Sequence, residues 1–166
     1  MLEHVLSEDW ENGGFGLYIH WPFCAAKCPY CDFNSHVRNN IDQKQWLRSY
    51  LSEINRVSKN TSNRSLNSVF FGGGTPSLIE PWVINDILNE IQKYWKTKDI
   101  FEVTLEANPG SVDAKNFKAY RSAGVNRVSM GIQSLNEKDL KALGRTHTVK
   151  EALSAFEIAR QNFPAV

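Results

Sequence analysis

Residues 16–33 read GLYIHWPFCAAKCPYCDF. The first six residues, 16–21, form an apolar and aromatic run bounded by Pro22, the signature of a β-strand. Immediately after it Cys24, Cys28 and Cys31 follow the spacing C-x3-C-x2-C, and the chain has no other cysteine. Three thiols within eight consecutive residues point to one shared task, and an odd number argues against a closed disulfide framework. Three thiolates can hold an iron–sulfur cube and leave one iron open to a small molecule. Two other readings of the same residues stand beside this one. A Cys3His zinc site could draw its fourth ligand from His20 or His36, although no second C-x2-4-C hook exists elsewhere in the chain. Three unrelated buried thiols would also satisfy the count.

Outward from this stretch, strands and helices alternate. A helix is expected from about Asp42 to Lys59, with Trp46, Leu47, Tyr50, Leu51, Ile54 and Val57 on one face and a capping box from Asp42 and Gln45. Residues 60–67, NTSNRSLN, read as a loop leading to a short strand, SVFF at 68–71. Pro81 opens a second helix that buries Ile84, Ile87, Leu88 and Ile91 and runs to Trp95. A third strand is expected over IFEVTLE at 100–106, then a short helix over about 113–123 ended by Gly124, then a fourth strand in VNRVSMGI at 125–132. Two further helices follow, one from Glu137 to Leu143 stopped by Gly144, the other opened by a capping box of Thr148 and Glu151 with Leu153, Phe156 and Ala159 as its apolar face. This order predicts an α/β fold: a parallel sheet covered by helices, of the barrel or doubly wound kind.

Length and composition bound the function. With 166 residues, 42% hydrophobic and 22% charged, the chain can build one domain with a real core. The net charge of +1 is spread without a basic run, which argues against a nucleic-acid partner, and no apolar run is long enough to span a bilayer. The N-terminal MLEHVLSEDWENGG is acidic and lacks the regions of a secretory signal, so a cytoplasmic location is expected, where thiolate ligands stay reduced.

Each expected strand ends in a motif, and open α/β sheets and barrels bind ligands at those ends. The cysteine loop follows the first strand. Gly72, Gly73 and Gly74 of GGGTPS follow the second and permit close approach of a ligand to backbone, although the lysine of a phosphate-binding P-loop is missing. The third strand ends in Glu106 of EANPGS and the fourth in Gln133 of GIQSL.

The set YIHWPFCAAKCPYCDF, GGGTPS, EANPGS and GIQSLNEKDLKALGRTHT resembles the radical S-adenosylmethionine (SAM) superfamily, in its coproporphyrinogen III oxidase-like branch, which includes the HemW-type heme chaperones. The resemblance runs from about Gly14 to the end of the chain. It implies that Cys24, Cys28 and Cys31 ligate three irons of a [4Fe-4S] cluster and that the amine and carboxylate of SAM occupy the fourth. It further implies that Tyr18 lies near the bound cofactor, that Tyr30 packs beside the cluster, and that Gly73, Gly74 and Thr75 receive the methionyl amine. Glu106 is implied to contact the cofactor, with Gln133 and Arg145 further round the rim. A further family aspartate would fall just past residue 166. No catalytic residue is assigned beyond the cluster and SAM site. Reductive binding of SAM, with cleavage to a 5′-deoxyadenosyl radical, is the chemistry of the superfamily, and it requires a reductant protein. Trp21, Phe23 and Phe33 are the apolar neighbours expected to shield the cysteines.

One position separates members of the branch. Oxygen-independent coproporphyrinogen oxidases carry a fourth cysteine two residues beyond the third, where this chain has Phe33. The departure points to the heme-chaperone group, with heme and heme-acceptor proteins as implied partners. The decarboxylating oxidase is the runner-up, and a zinc-stabilised binding module is the alternative of another class. The implied architecture is the N-terminal part, about four βα units, of a partial TIM-like barrel. On this reading residues 1–13 are an extension and 14–166 a truncated core, a fragment of marginal stability whose fourth strand would lack a neighbour.

Overall fold

The computed structural model describes residues 10–111 and 114–166. A short helix α1 (Trp10–Gly13) precedes strand β1 (Phe15–Trp21), and the cysteine loop carries two-residue strands β2 (Phe23–Cys24) and β3 (His36–Val37). Then follow α2 (Gln43–Ser58), β4 (Ser65–Gly73), α3 (Pro81–Tyr94), β5 (Lys96–Ala107), α4 (Ala114–Ser122), β6 (Arg127–Met130), α5 (Glu137–Ala142) and α6 (Val149–Asn162). The main sheet has the order β1-β4-β5-β6 and is parallel throughout. Residues 1–9 lie outside the described part, and with them most of the expected N-terminal extension and its acidic segment; Asp113, at the expected start of α4, does too.

One face of the sheet carries the core. Ile19 and Trp21 of β1, Val69 and Phe71 of β4, Val103 and Leu105 of β5 and Val128 of β6 are buried against the helices. On α3 the expected stripe of Ile84, Ile87, Leu88 and Ile91 is buried, joined by Val83. On α2 only Ile54 of the expected face is fully buried, and Trp46, Leu47, Tyr50 and Val57 pack half-buried on the core. On α6 the buried face is Ala152, Ala155 and Ala159 rather than the expected Leu153, Phe156 and Ala159, and Leu153 is 48% exposed. Small side chains let α6 lie close to α4, where Phe117 meets Phe163 edge-on at 5.4 Å.

Helix ends follow local chemistry. Asp42 accepts from Gln45 N at 2.9 Å, which is the half of the expected box that forms, while Thr148 and Glu151 complete theirs in both directions. Gly124 (φ +112°) and Gly144 (φ +66°) follow α4 and α5. Two strands are longer than their apolar runs. β4 begins at Ser65 because Ser65 and Leu66 pair with Lys96 and Thr97 and Leu66 is fully buried, so a stretch whose polar residues suggest a loop is recruited by its neighbours. β5 gains Lys96 and Thr97 by the same pairing.

The fourth strand does not stand without a neighbour. Ala165 bridges to Arg127, its carbonyl accepts from Val128 N at 3.1 Å, and Phe163 is buried, so the NFPAV segment occupies part of that edge. The parallel register places Trp21 beside Gly73 and Ala107 beside Met130, which brings the C-terminal ends of all four strands to one rim.

Candidate cofactor-binding site

The cysteine loop is tied to the rim by backbone bonds. Gly74 N donates to Trp21 O at 2.7 Å and Thr75 N to Phe23 O at 2.8 Å, so the end of β4 grips the chain just before Cys24. β2 pairs with β3, and His36 N donates to Pro22 O at 2.7 Å, closing the loop on itself. His20 Nε2 lies 2.9 Å from Asn34 O and Lys27 Nζ donates to Ser35 O at 3.4 Å. Beneath the loop, Trp21, Phe23 and Trp46 pack edge-to-face at 5.2–6.1 Å. Trp21 is fully buried there, on the helical side, so of the three aromatic residues expected to shield the cysteines only Phe33 lines the site.

Four chain segments converge on one cavity of about 340 Å³. Cys24, Cys28 and Cys31 form one wall together with Tyr30 and Phe33, and Gly73, Gly74 and Thr75 form a second. Glu106 and Asn108 from the end of β5, and Gln133 and Arg145 from beyond β6, complete it. Tyr18 is not among the lining residues: it stands on the opposite sheet face from Trp21, stacked on Phe70 at 6.0 Å with its hydroxyl 3.3 Å from His20 Nδ1, and is 56% exposed.

Charge is placed unevenly. Arg145 is the hub: Nη1 donates to Cys28 Sγ at 3.2 Å and Tyr30 Oη at 3.4 Å, and Nη2 donates to Asn108 Oδ1 at 2.9 Å and Gly131 O at 2.8 Å. Arg145 Nε is buried without a partner among the described residues. Across the cavity Glu106 accepts from Gly73 N at 3.1 Å. Burial pushes its carboxyl above the ordinary glutamate value, while the Gly73 bond and the nearby His20 pull the other way. Gln133, beyond β6, has φ +74°, a left-handed conformation that costs a non-glycine residue free energy and persists only where its surroundings enforce it.

Asn108 was not singled out by sequence reasoning, although it lies inside EANPGS; its only signal was position, two residues past Glu106. Neither histidine weighed as a zinc ligand is gathered with the thiols: His20 is engaged by Asn34 and Tyr18, and His36 is exposed in β3. Among the described residues no three His, Cys, Asp or Glu side chains come together as a metal cluster, so the three thiols share a wall without forming a closed ligand set.

The residues nevertheless fit an iron–sulfur cluster. Soft thiolates are the donors such a cluster takes, all three face one cavity, and a guanidinium beside Cys28 offsets thiolate charge. The glycine wall is also a cradle that side chains would fill, since a Cβ on Gly74 would stand 3.0 Å from Cys24 Sγ.

Comparison with known proteins gives the same direction. The family model of the radical SAM superfamily matches residues 18–166. The heme chaperone HemW of Haemophilus influenzae is 47% identical over 149 residues, which cover 87% of this chain and 39% of that protein. The mitochondrial radical S-adenosyl methionine domain-containing protein 1 of Bos taurus is 40% identical over 148 residues, covering 89% of this chain and 34% of that one. Coproporphyrinogen III oxidase (HemN) from Escherichia coli, a radical SAM enzyme, superposes with a TM-score of 0.80 at 24% identity, over 89% of this chain and 34% of its own. The chain thus spans less than two fifths of the length of each of these relatives.

Proposed function

We propose a function from the premise that the chain belongs to the radical SAM superfamily: it supplies the cluster- and SAM-binding wall of a HemW-type heme chaperone, which binds heme and delivers it to acceptor proteins. The observation that carries the reading is the convergence of Cys24, Cys28, Cys31, the Gly73–Thr75 turn, Glu106, Gln133 and Arg145 on one cavity at the C-terminal rim of a parallel sheet. Cys24, Cys28 and Cys31 are the residues that would hold a [4Fe-4S] cluster. A bound cluster supplies one electron at low potential to a sulfonium.

The protein's own groups bind and orient SAM. Glu106 would accept hydrogen bonds from the methionyl ammonium or a ribose hydroxyl beside the Gly73–Gly74 backbone, and Thr75 offers a hydroxyl that both donates and accepts. Arg145 has a planar fork suited to the carboxylate; its Nη hydrogens are engaged by Cys28, Tyr30, Asn108 and Gly131, so a carboxylate would take the place of one of these partners. Gln133 closes the far side. The exposed Phe33 and Tyr30 limit water at the cysteine wall.

Phe33, where the oxidases of the branch carry a further cysteine, favours the chaperone over porphyrinogen decarboxylation, as does the 47% identity to HemW. The likeness to coproporphyrinogen oxidase speaks for the fold alone. Heme, heme-acceptor proteins and a reductant protein are the partners this reading calls for. No described helix is long and apolar enough to cross a membrane. A reducing cytoplasm suits three free thiols.

The test is electron paramagnetic resonance of the anaerobically reconstituted full-length protein with and without SAM. A spectral change on addition is expected, with Cys28→Ala losing the cluster and Gln133→Ala keeping it while weakening SAM binding. Stoichiometric zinc without iron overturns the site. Heme binding by absorbance, with transfer to an apo-acceptor, is expected from the chaperone reading; decarboxylation of a porphyrinogen would replace it with the oxidase.

A further inference from the structure

Two side chains from one short segment hold consecutive carbonyls of the turn that follows β6. Arg145 Nη2 donates to Gly131 O at 2.8 Å, and His147 Nε2 lies 3.2 Å from Ile132 O. The residue after these two carbonyls is Gln133, the one non-glycine residue with positive φ (+74°) among the described residues, and it lines the cavity. Its amide lies close enough that a Cβ on Gly131 would stand 3.2 Å from Gln133 Nε2.

His147 itself does not line the cavity and is only 4% exposed. A carbonyl can only accept, so the bond to Ile132 requires the proton on Nε2. Nδ1 then carries a lone pair, and it is buried without a partner among the described residues. Burial and the neighbouring Arg145 guanidinium hold the ring below the ordinary histidine value, which keeps it neutral. A buried neutral imidazole with one useful donor is an expensive way to fill space. Its yield is the fixed direction of a carbonyl one residue before a strained backbone.

We propose, resting on the SAM site described above, that His147 is a positioning residue: by fixing the Ile132 carbonyl it holds Gln133 in the left-handed conformation that presents its amide to the SAM cavity. Arg145 alone cannot do this, because its fork must also meet Cys28, Tyr30 and Asn108. A residue at position 147 that keeps a donor at the Nε2 position should therefore keep the function. One that places the donor a bond shorter should not.

The experiment compares His147→Gln, whose amide nitrogen reaches the Nε2 position, with His147→Asn, whose amide does not, and with His147→Leu. In reconstituted full-length protein the SAM dissociation constant by equilibrium dialysis is expected to rise about three- to tenfold in the Asn and Leu variants, the worth of one buried hydrogen bond, and to stay within about twofold in the Gln variant. Iron content should not change in any of them. In a Gln133→Ala background His147→Asn should add less than about twofold, because the effect is routed through Gln133. Equal behaviour of the Gln and Asn variants, or independent, multiplying losses in the double variant, overturns the proposal. Amide hydrogen exchange at Ile132, whose N–H donates to Met130 O at 3.0 Å in the same turn, decides it separately in protein without cluster: faster exchange in His147→Asn but not in His147→Gln is expected, and unchanged exchange overturns it. A wild-type protein that binds no SAM overturns the site reading, and the exchange result still decides the role of His147.

Discussion

Gly74→Ala is the sharpest perturbation of the site's construction. A Cβ there would stand 2.5 Å from Phe23 O, 2.8 Å from Phe23 C and 3.0 Å from Cys24 Sγ. The thiol can rotate, but the Phe23 carbonyl is backbone, and it already accepts from Thr75 N at 2.8 Å. Relief to the 3.4 Å of ordinary contact needs the strand end and the loop to part by about 0.9 Å. Forcing an extra methyl into a packed site costs about 1–3 kcal/mol, and weakening the Thr75–Phe23 and Gly74–Trp21 bonds costs about 0.5–1.5 kcal/mol each, so the local penalty is about 2–6 kcal/mol. Because these contacts place Cys24, the penalty falls on cluster assembly as well as on folding. Iron and acid-labile sulfide per chain after anaerobic reconstitution should drop to a small fraction of wild type, and thermal unfolding by circular dichroism should shift down by about 2–4 °C per kcal/mol. Gly110→Ala is the control. Its Cβ would meet Thr146 Oγ1 at 3.4 Å and nothing else closer than 3.9 Å, and the change should lie within about 0.5 kcal/mol of wild type. Wild-type iron content and melting in Gly74→Ala would refute the claim that the β4 end grips the cysteine loop by close backbone approach.

Two further outcomes follow from single groups. Glu106 is raised by burial, so its proton is taken up at higher pH than the ordinary value of about 4.3. If the carboxylate contacts SAM as proposed, SAM affinity should fall as pH drops through that raised value, and Glu106→Gln should flatten the profile in dialysis across pH 5 to 8. The folding linkage has the opposite sense: the carboxyl favours the folded state at low pH and that contribution is lost as pH rises through the folded value, so Glu106→Gln should raise the melting temperature at pH 8. Tyr120→Phe tests the core under the rim, because Tyr120 is 2% exposed and its hydroxyl donates to Ser77 O at 2.6 Å and Ile79 O at 2.9 Å. Leaving these carbonyls without the donor should cost about 1–3 kcal/mol in chemical denaturation, with iron content unchanged after reconstitution.

The α/β order, the helix stripes and the strand-end motifs were legible because each rests on local chemistry: the Ile84–Ile91 spacing, the Thr148–Glu151 box, the glycines at 124 and 144. Strand lengths were less legible. Ser65, Lys96 and Thr97 are polar and become strand because Ser65 pairs with Lys96 and the buried Leu66 with Thr97 across the sheet. The buried face of α6 departs from its sequence pattern for a related reason: amplitude of hydrophobicity favours Leu153 and Phe156, but close approach to α4 selects the alanines. Asn108 and His147 escaped notice at the site, since an amide and an imidazole carry no period and declare their roles only through partners such as Arg145 and Ile132.

Residue type and spacing alone determined which atoms are available for chemistry: three thiols in C-x3-C-x2-C, a glycine turn, a carboxylate and an arginine in that order along the chain. Such information is carried by covalent sequence and needs no fold to be read. Only the tertiary structure decided that Arg145 reaches Cys28 across 117 positions, that Tyr18 shares a sheet face with Glu106 without lining the cavity and that Gln133 is held left-handed. Those outcomes depend on parallel register and on competing hydrogen bonds among distant residues, and the balance among them exists only once the chain is packed.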